Sequence, residues 1–190
     1  MPHYLPAEAF SDHSRAAEGR HALVAARLAP EKGIDTAIEA AALAGVPLRV
    51  AGEGPAAAEL RELAARTGAP VEFTGRLDRP SLERELAGAA MLLMPSRYHE
   101  FAGYSALEAM AAGVPVVASS LGALPEIVGA TRCVPPNDPA ALAARVSVLW
   151  ENPELRRSDG DDLIARARAQ HSEENYVERL LAMYAGADTR

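Results

Sequence analysis

Short apolar runs separated by helix-sized gaps recur along this chain, and that alternation restricts its fold more than any other property of the sequence. The runs are His21 to Ala26, Leu48 to Ala51, Val71 to Thr74, Met91 to Met94, Val114 to Ala118 and Arg132 to Val134. Each is too short to be a helix and is bounded by turn residues, so each reads as a strand.

The gaps carry helix punctuation. Ile34 to Ala44 sets Ile34, Ile38 and Ala41 on one face and stops at Gly45, a residue that tolerates the left-handed conformation ending many helices. Pro55 opens the next helix, to Thr67; Leu60, Leu63 and Ala64 mark its buried stripe and Gly68 closes it. Leu82 with Leu86, and Leu107 with Met110 and Ala111, continue the spacing. Asn137-Asp138-Pro139 offers a capping aspartate and a proline at the first helical position, ahead of Leu142, Val146, Leu149 and Trp150. Two last helices run from about Pro153 to Gln170 and from Ser172 to Tyr184.

Strands alternating with helices predict an α/β fold with a parallel sheet covered on both faces, and right-handed crossovers make a doubly wound, Rossmann-like six-stranded sheet the economical topology. The expected strand order is 3-2-1-4-5-6, with the ligand crevice between strands one and four, outside their carboxyl ends. Residues 1–20 are polar, contain Pro and Ala and show no periodicity, which reads as a linker or N-terminal arm; residues 21–190 read as one domain. The chain has 190 residues, 49% of them hydrophobic, enough for one sizeable core at about 100–200 residues per domain.

Net charge is -7, which argues against a nucleic-acid partner because phosphate binding needs a basic face. Cys133 is the single cysteine, so there is neither a disulfide framework nor a cysteine metal site, and a buried inert thiol is expected. No signal peptide is visible, and no apolar stretch approaches the ~20 residues of a membrane span. A soluble, cytoplasmic protein is the expectation.

Two loops meet at the expected crevice. After strand one, Arg27-Leu28-Ala29-Pro30-Glu31-Lys32-Gly33 places a guanidinium and the only lysine of the chain just before a helix N-terminus, a combination that suits a diphosphate. The alternative is that Arg27 pairs with a surface carboxylate and Lys32 is solvated. After strand four, Glu100 lies in the loop, Gly103-Tyr104-Ser105 opens a helix whose backbone donors suit a phosphate or sugar hydroxyl, and Glu108 lies in the body of that helix. One carboxylate can accept hydrogen bonds from both hydroxyls of a ribose or sugar diol. Taken singly, Glu100 also suits a helix N-terminus and Glu108 a solvated helix face.

Other motifs are weaker. Gly52-Glu53-Gly54 allows close backbone approach, but it follows the second strand and lacks the later glycine of a dinucleotide fingerprint. Phe73-Thr74-Gly75-Arg76-Leu77 ends strand three where a nucleobase or a plain turn would fit. Asp159, Asp161 and Asp162 lack the spacing of a calcium loop; His3, His13, His21, His99 and His171 show no helical pair for zinc; a G-x-S-x-G elbow is absent.

In combination these residues resemble the C-terminal nucleotide-sugar-binding domain of the retaining GT-B glycosyltransferases, family 4 or group 1. The carriers are Arg27-Leu28 with Lys32-Gly33, Gly52-Glu53-Gly54, Phe73-Thr74-Gly75, Pro95-Ser96, the Glu-x7-Glu pair Glu100 and Glu108, and Ala109 to Ala118, so the resemblance covers nearly the whole chain from Ala22. It implies one half of a GT-B fold. Arg27 and Lys32 would grip the donor diphosphate and neutralise the leaving nucleotide without a metal; Glu100 would bind sugar hydroxyls; Gly52 and the Ala102, Gly103, Tyr104 and Ser105 backbone would meet sugar and phosphate. Glu108 would hold the ribose, with the base near Arg76 and Leu77. It also implies transfer with retention, no cofactor beyond the nucleotide-diphosphate sugar itself, and a second, acceptor-binding N-terminal domain as partner.

The chain departs from the family pattern where Phe101-Ala102-Gly103 stands in place of phenylalanine followed by glycine at the third and fourth motif positions. It also lacks the acceptor domain, so binding without appreciable catalysis is expected of it alone. A non-catalytic nucleotide-sugar-binding or interaction module is the alternative, and a sugar-nucleotide epimerase a third reading.

Overall fold

The computed structural model describes residues 4–100 and 103–187. The six apolar runs form β1 (His21–Ala25), β2 (Leu48–Ala51), β3 (Val71–Gly75), β4 (Ala89–Met94), β5 (Val116–Ser119) and β6 (Cys133–Val134). They lie in one sheet in the order β3-β2-β1-β4-β5-β6, every neighbouring pair parallel, as the sequence predicts. Strand β5 begins two residues later than its apolar run. Pro115 has no amide hydrogen for a ladder, and the Val114 amide is spent on Ala109 O at 2.8 Å, closing the preceding helix.

Side-chain alternation sends residues to two cores. Ala22 and Val24 of β1, Met91 and Leu93 of β4 and Val117 of β5 enter one buried cluster, while Leu23, Leu92, Val116 and Ala118 enter the other. Helices α1 (Ile34–Ala44), α2 (Ala57–Thr67) and α6 (Pro139–Glu151) cover the first face; α3 (Arg79–Ala87), α4 (Tyr104–Ala111), α5 (Leu124–Val128) and α7 (Pro153–His171) cover the second. Gly45 and Gly68 end α1 and α2 with φ near 64° and 65°, and Asp138 caps α6 by accepting from the Ala141 amide at 2.9 Å. The five-residue α5 has too few turns to leave a periodic trace in the sequence.

Residues 4–20 lie against the second face. Leu5 is buried and its amide donates to His171 O at 2.8 Å, beside α8 (Glu173–Ala187). Ser14 packs where Gly113 and Gly160 meet; a Cβ on Gly160 would stand 2.1 Å from Gly113 O and 2.2 Å from Ser14 Oγ. Asp159 and Asp162 are in α7, paired with the buried Arg132. No helix among the described residues is long and apolar enough to cross a membrane.

Candidate functional site

The sheet delivers its connecting loops to the carboxyl edge, and the β1 and β4 loops meet there. After β1 the chain makes a single 3-10 turn, Pro30–Lys32, and then enters α1 through Gly33 at φ 64°. A glycine is required at that point, since a Cβ would lie 2.0 Å from Pro95 O at the end of β4. The turn therefore leans on the β4 loop, and Lys32 Nζ donates to Glu100 Oε1 at 2.6 Å. The Ser96 hydroxyl donates to the same oxygen at 2.8 Å. Both charged side chains are largely buried, Lys32 at 28% and Glu100 at 19% exposure, so this pair is far less screened than a surface one. The Glu100 backbone is held too: its carbonyl accepts from Ala123 N at 3.2 Å, and Gly122, at φ 60°, fits against His99 and Glu100 where a Cβ would come within 3.0 Å of backbone.

Arg27 stands apart from that pair. It is exposed and makes an ion pair with Glu31 one turn on, which is the surface pairing weighed as the alternative for this residue. The two cations expected to share a diphosphate thus sit on one loop, with Lys32 directed at Glu100 and Arg27 at solvent.

Helix α4 begins at Gly103, whose left-handed φ of 54° sets the entry against Leu124 and Ile127. The Ser105 hydroxyl donates to Ala25 O at 3.1 Å, tying the first turn of α4 to the end of β1. Its amides and its positive dipole end therefore face the crevice. Phe101 and Ala102 lie outside the described residues. Tyr104 and Glu108, one turn apart, line a cavity of about 920 Å3 between α4, α3 and the N-terminal segment, together with Arg79, Glu83, Leu5 and His13. Burial pushes the Glu108 carboxyl above its ordinary value of 4.5, Arg79 draws it back and Glu83 adds to the rise. A half-buried carboxylate with its proton affinity raised is a site that hydroxyl donors would relieve.

Gly52 and its loop act within the chain. At φ 146° a Cβ on Gly52 would stand 1.9 Å from Ala26 O, and one on Gly54 2.3 Å from Leu28 O. Leu28 N donates to Glu53 O at 2.9 Å and Ala56 N to Leu28 O at 3.0 Å, so the β2 loop props the Arg27–Lys32 loop from behind. Beyond β3, Arg76 is exposed and Leu77 packs against the second core. The structure thus brings together Lys32, Glu100 and the start of α4, places Tyr104 and Glu108 in the neighbouring cavity, and leaves Arg76 and Arg27 on the surface. The sequence singles out Ser96 only within the Pro95-Ser96 motif and gives Arg97 no role; their signal is position, polar residues at the carboxyl end of β4 beside the switch point.

Comparison with known proteins bears on the family and the fold. The family model for glycosyl transferases group 1 matches residues 7–166. A GDP-mannose-dependent alpha-(1-6)-phosphatidylinositol dimannoside mannosyltransferase of Mycobacterium tuberculosis is 41% identical over 138 residues, 69% of this chain and 35% of that protein. A GDP-mannose-dependent monoacylated alpha-(1-6)-phosphatidylinositol monomannoside mannosyltransferase of Corynebacterium glutamicum is 34% identical over 167 residues, 81% of this chain and 44% of that protein. Among solved structures, sucrose-phosphate synthase from Thermosynechococcus elongatus superposes with a TM-score of 0.82 at 27% identity, over 98% of this chain and 51% of that one. Anabaena HepE in complex with UDP and glucose shares the fold, with a TM-score of 0.75 at 22% identity over 90% of this chain and 49% of that one. The chain spans about a third to a half of the length of these relatives. It belongs to the glycosyl transferases of group 1, on a GT-B type Rossmann-like domain.

Proposed function

We propose that this chain is the donor-binding part of a retaining, metal-independent glycosyl transferase and holds a nucleotide-diphosphate sugar at the β1–β4 crevice. The observation that carries the reading is the 2.6 Å contact between Lys32 Nζ and Glu100 Oε1 across that crevice. A cation and a carboxylate held side by side suit a ligand in which anionic diphosphate adjoins a hydroxylated sugar. Lys32 takes the diphosphate, Arg27 leaves Glu31 to join it, and Glu100 accepts from the sugar hydroxyls. The Ala102–Ser105 backbone meets sugar and phosphate, Glu108 takes the ribose hydroxyls, and the base lies toward Arg76 and Leu77, with Gly52 behind the loop.

In the reaction the bond from the anomeric carbon to the diphosphate oxygen breaks, its electrons staying on a leaving group whose charge Lys32 and Arg27 offset. The acceptor oxygen bonds to the same face of that carbon and its proton passes to the departing phosphate, which gives retention. The acceptor is held by a second domain outside this chain, so the chain alone binds donor and barely turns it over. It needs no cofactor beyond the donor, and a nucleotide-sugar substrate fits a cytoplasmic location.

Calorimetry in the presence of EDTA tests this with GDP, suggested by the two GDP-mannose-dependent relatives, and with UDP. One of them is expected to bind, and Lys32→Ala or Glu108→Ala to weaken it by on the order of tenfold, the size of one lost hydrogen bond to a charged group. Unchanged affinity in both variants would sink the assignment of the site. Recovery of sugar transfer on mixing with an acceptor-domain protein would distinguish the transferase from a non-catalytic binding module.

A further inference from the structure

Arg97 follows Ser96 in the β4 loop, yet its guanidinium turns away from Glu100 and ties three connections together at the carboxyl edge of the sheet. Its Nη2 donates to Asp35 Oδ2 at 2.6 Å and to Thr36 Oγ1 at 3.1 Å in the first turn of α1. Nη1 donates to Pro30 O at 3.4 Å, Nε donates to Asn137 Oδ1, and the Arg97 backbone amide donates to Glu31 O at 2.8 Å. Asn137 stands in the β6–α6 connection with φ at 58°, the one positive value recorded for a residue other than glycine among the described residues. The clamp therefore closes around the Pro30–Lys32 turn from both ends.

Its effect is geometric more than energetic. Arg97 and Asp35 are 30% and 38% exposed, and ion pairs at such exposure contribute little to stability. A planar fork with several fixed donors does hold three loops in one arrangement, which a lysine at the same place has no means to do. Lys32 ends a flexible four-carbon stem, so the direction of its ammonium depends on where the turn beneath it stands.

We propose that Arg97 is a positioning residue for the diphosphate: by fixing the Pro30–Lys32 turn against the α1 and α6 connections, it aims Lys32 at Glu100. This rests on the reading of Lys32 as the diphosphate ligand. The test is a double-mutant cycle by calorimetry with GDP and UDP on the full chain, with thermal midpoints measured alongside. Arg97→Ala is expected to weaken binding roughly fivefold to tenfold, as a lost charged hydrogen bond does. In a Lys32→Ala background the same change is expected to cost less than about twofold, because two groups acting through one contact are not additive. Asp35→Asn, which removes one charge of the clamp and no core atoms, is expected to weaken binding about threefold in the wild-type background. Equal losses for Arg97→Ala with and without Lys32, or full affinity in both Arg97→Ala and Asp35→Asn, would overturn the proposal. Should Arg97→Ala fail to fold, full affinity in Asp35→Asn alone overturns it. No binding of either nucleotide by the wild-type chain would instead remove the donor-site reading, and the proposal with it; binding weakened in Lys32→Ala but at full affinity in both Arg97→Ala and Asp35→Asn removes the positioning role alone.

Discussion

At the scale of single residues, Gly52 shows how a position picked out for a ligand can first serve the chain itself. Its φ of 146° belongs to glycine, and the space a Cβ would need is occupied by Ala26 O at 1.9 Å and Ala26 C at 3.0 Å. Neither atom can retreat, because Ala26 N is bonded to Ala51 O at 3.0 Å and Leu28 N to Glu53 O at 2.9 Å. Gly52→Ala is therefore expected to destabilise the fold by roughly 3 kcal/mol or more, combining backbone strain with overpacking. Because that loop props Lys32, nucleotide affinity should fall with it. Chemical denaturation of the variant checks the first part, and a loss under about 1 kcal/mol would show that the loop yields more easily than its hydrogen bonds indicate.

At the scale of elements, α7 binds the N-terminal segment through one buried arginine. Arg156 Nε and Nη2 donate to Ala16 O at 2.8 Å and Ala17 O at 2.9 Å, and Nη1 donates to Leu149 O at 2.9 Å and Trp150 O at 2.6 Å. Among the described residues no carboxylate takes part, and burial pushes the guanidinium below its ordinary pKa. Arg156→Met would take a donor from each of these carbonyls; Ala16 O and Leu149 O keep Gly19 N at 3.1 Å and Asn152 N at 3.3 Å, while Ala17 O and Trp150 O lose theirs, at a cost of about 3 kcal/mol by the penalty for buried unsatisfied groups. The segment should loosen, and tryptic cleavage at Arg15 and Arg20 should accelerate; cleavage at the wild-type rate would show that Leu5 and Ser14 hold it without Arg156. Sequence reading passed over this contact for a physical reason. Strands and helices announce themselves by periodic burial, which is why all six strands, the α1 stop at Gly45 and the Asp138 cap were legible. Residues 4–20 are fastened instead by backbone carbonyls and by close packing at Gly113 and Gly160, neither of which has a period. The crevice was legible because loop position follows from strand order. Arg97 was not, because its acceptors, Asp35, Pro30 and Asn137, are far away in sequence and on other connections.

At the scale of the whole molecule, a parallel sheet separates its two edges, and the proposed chemistry occupies only the carboxyl one. At the opposite edge, Arg49 of β2 donates to both oxygens of Glu85, at 2.8 Å and 2.9 Å, and to Glu72 at 2.8 Å and 3.0 Å. His21, the first residue of β1, is 8% exposed beside them, with Nε2 3.5 Å from Glu85 Oε2. Burial lowers the His21 pKa from 6.5 and outweighs the attraction of Glu85, with Arg49 adding to the fall. The folded chain therefore binds this proton less readily than the unfolded chain. Stability from a neutral His21 is fully present above about pH 6.5 and is lost as pH falls through the lower folded value. His21→Leu removes that dependence while keeping an apolar group in the core. The wild-type melting temperature should drop between pH 7.5 and 5 more steeply than that of the variant, in a window above the range where ordinary carboxylates titrate. Nucleotide affinity at pH 7.5 should be the same in both, since the substitution lies at the edge away from Lys32 and Glu100. Parallel melting curves across that window would mean that His21 is protonated as easily in the fold as outside it, the attraction of Glu85 cancelling the effect of burial.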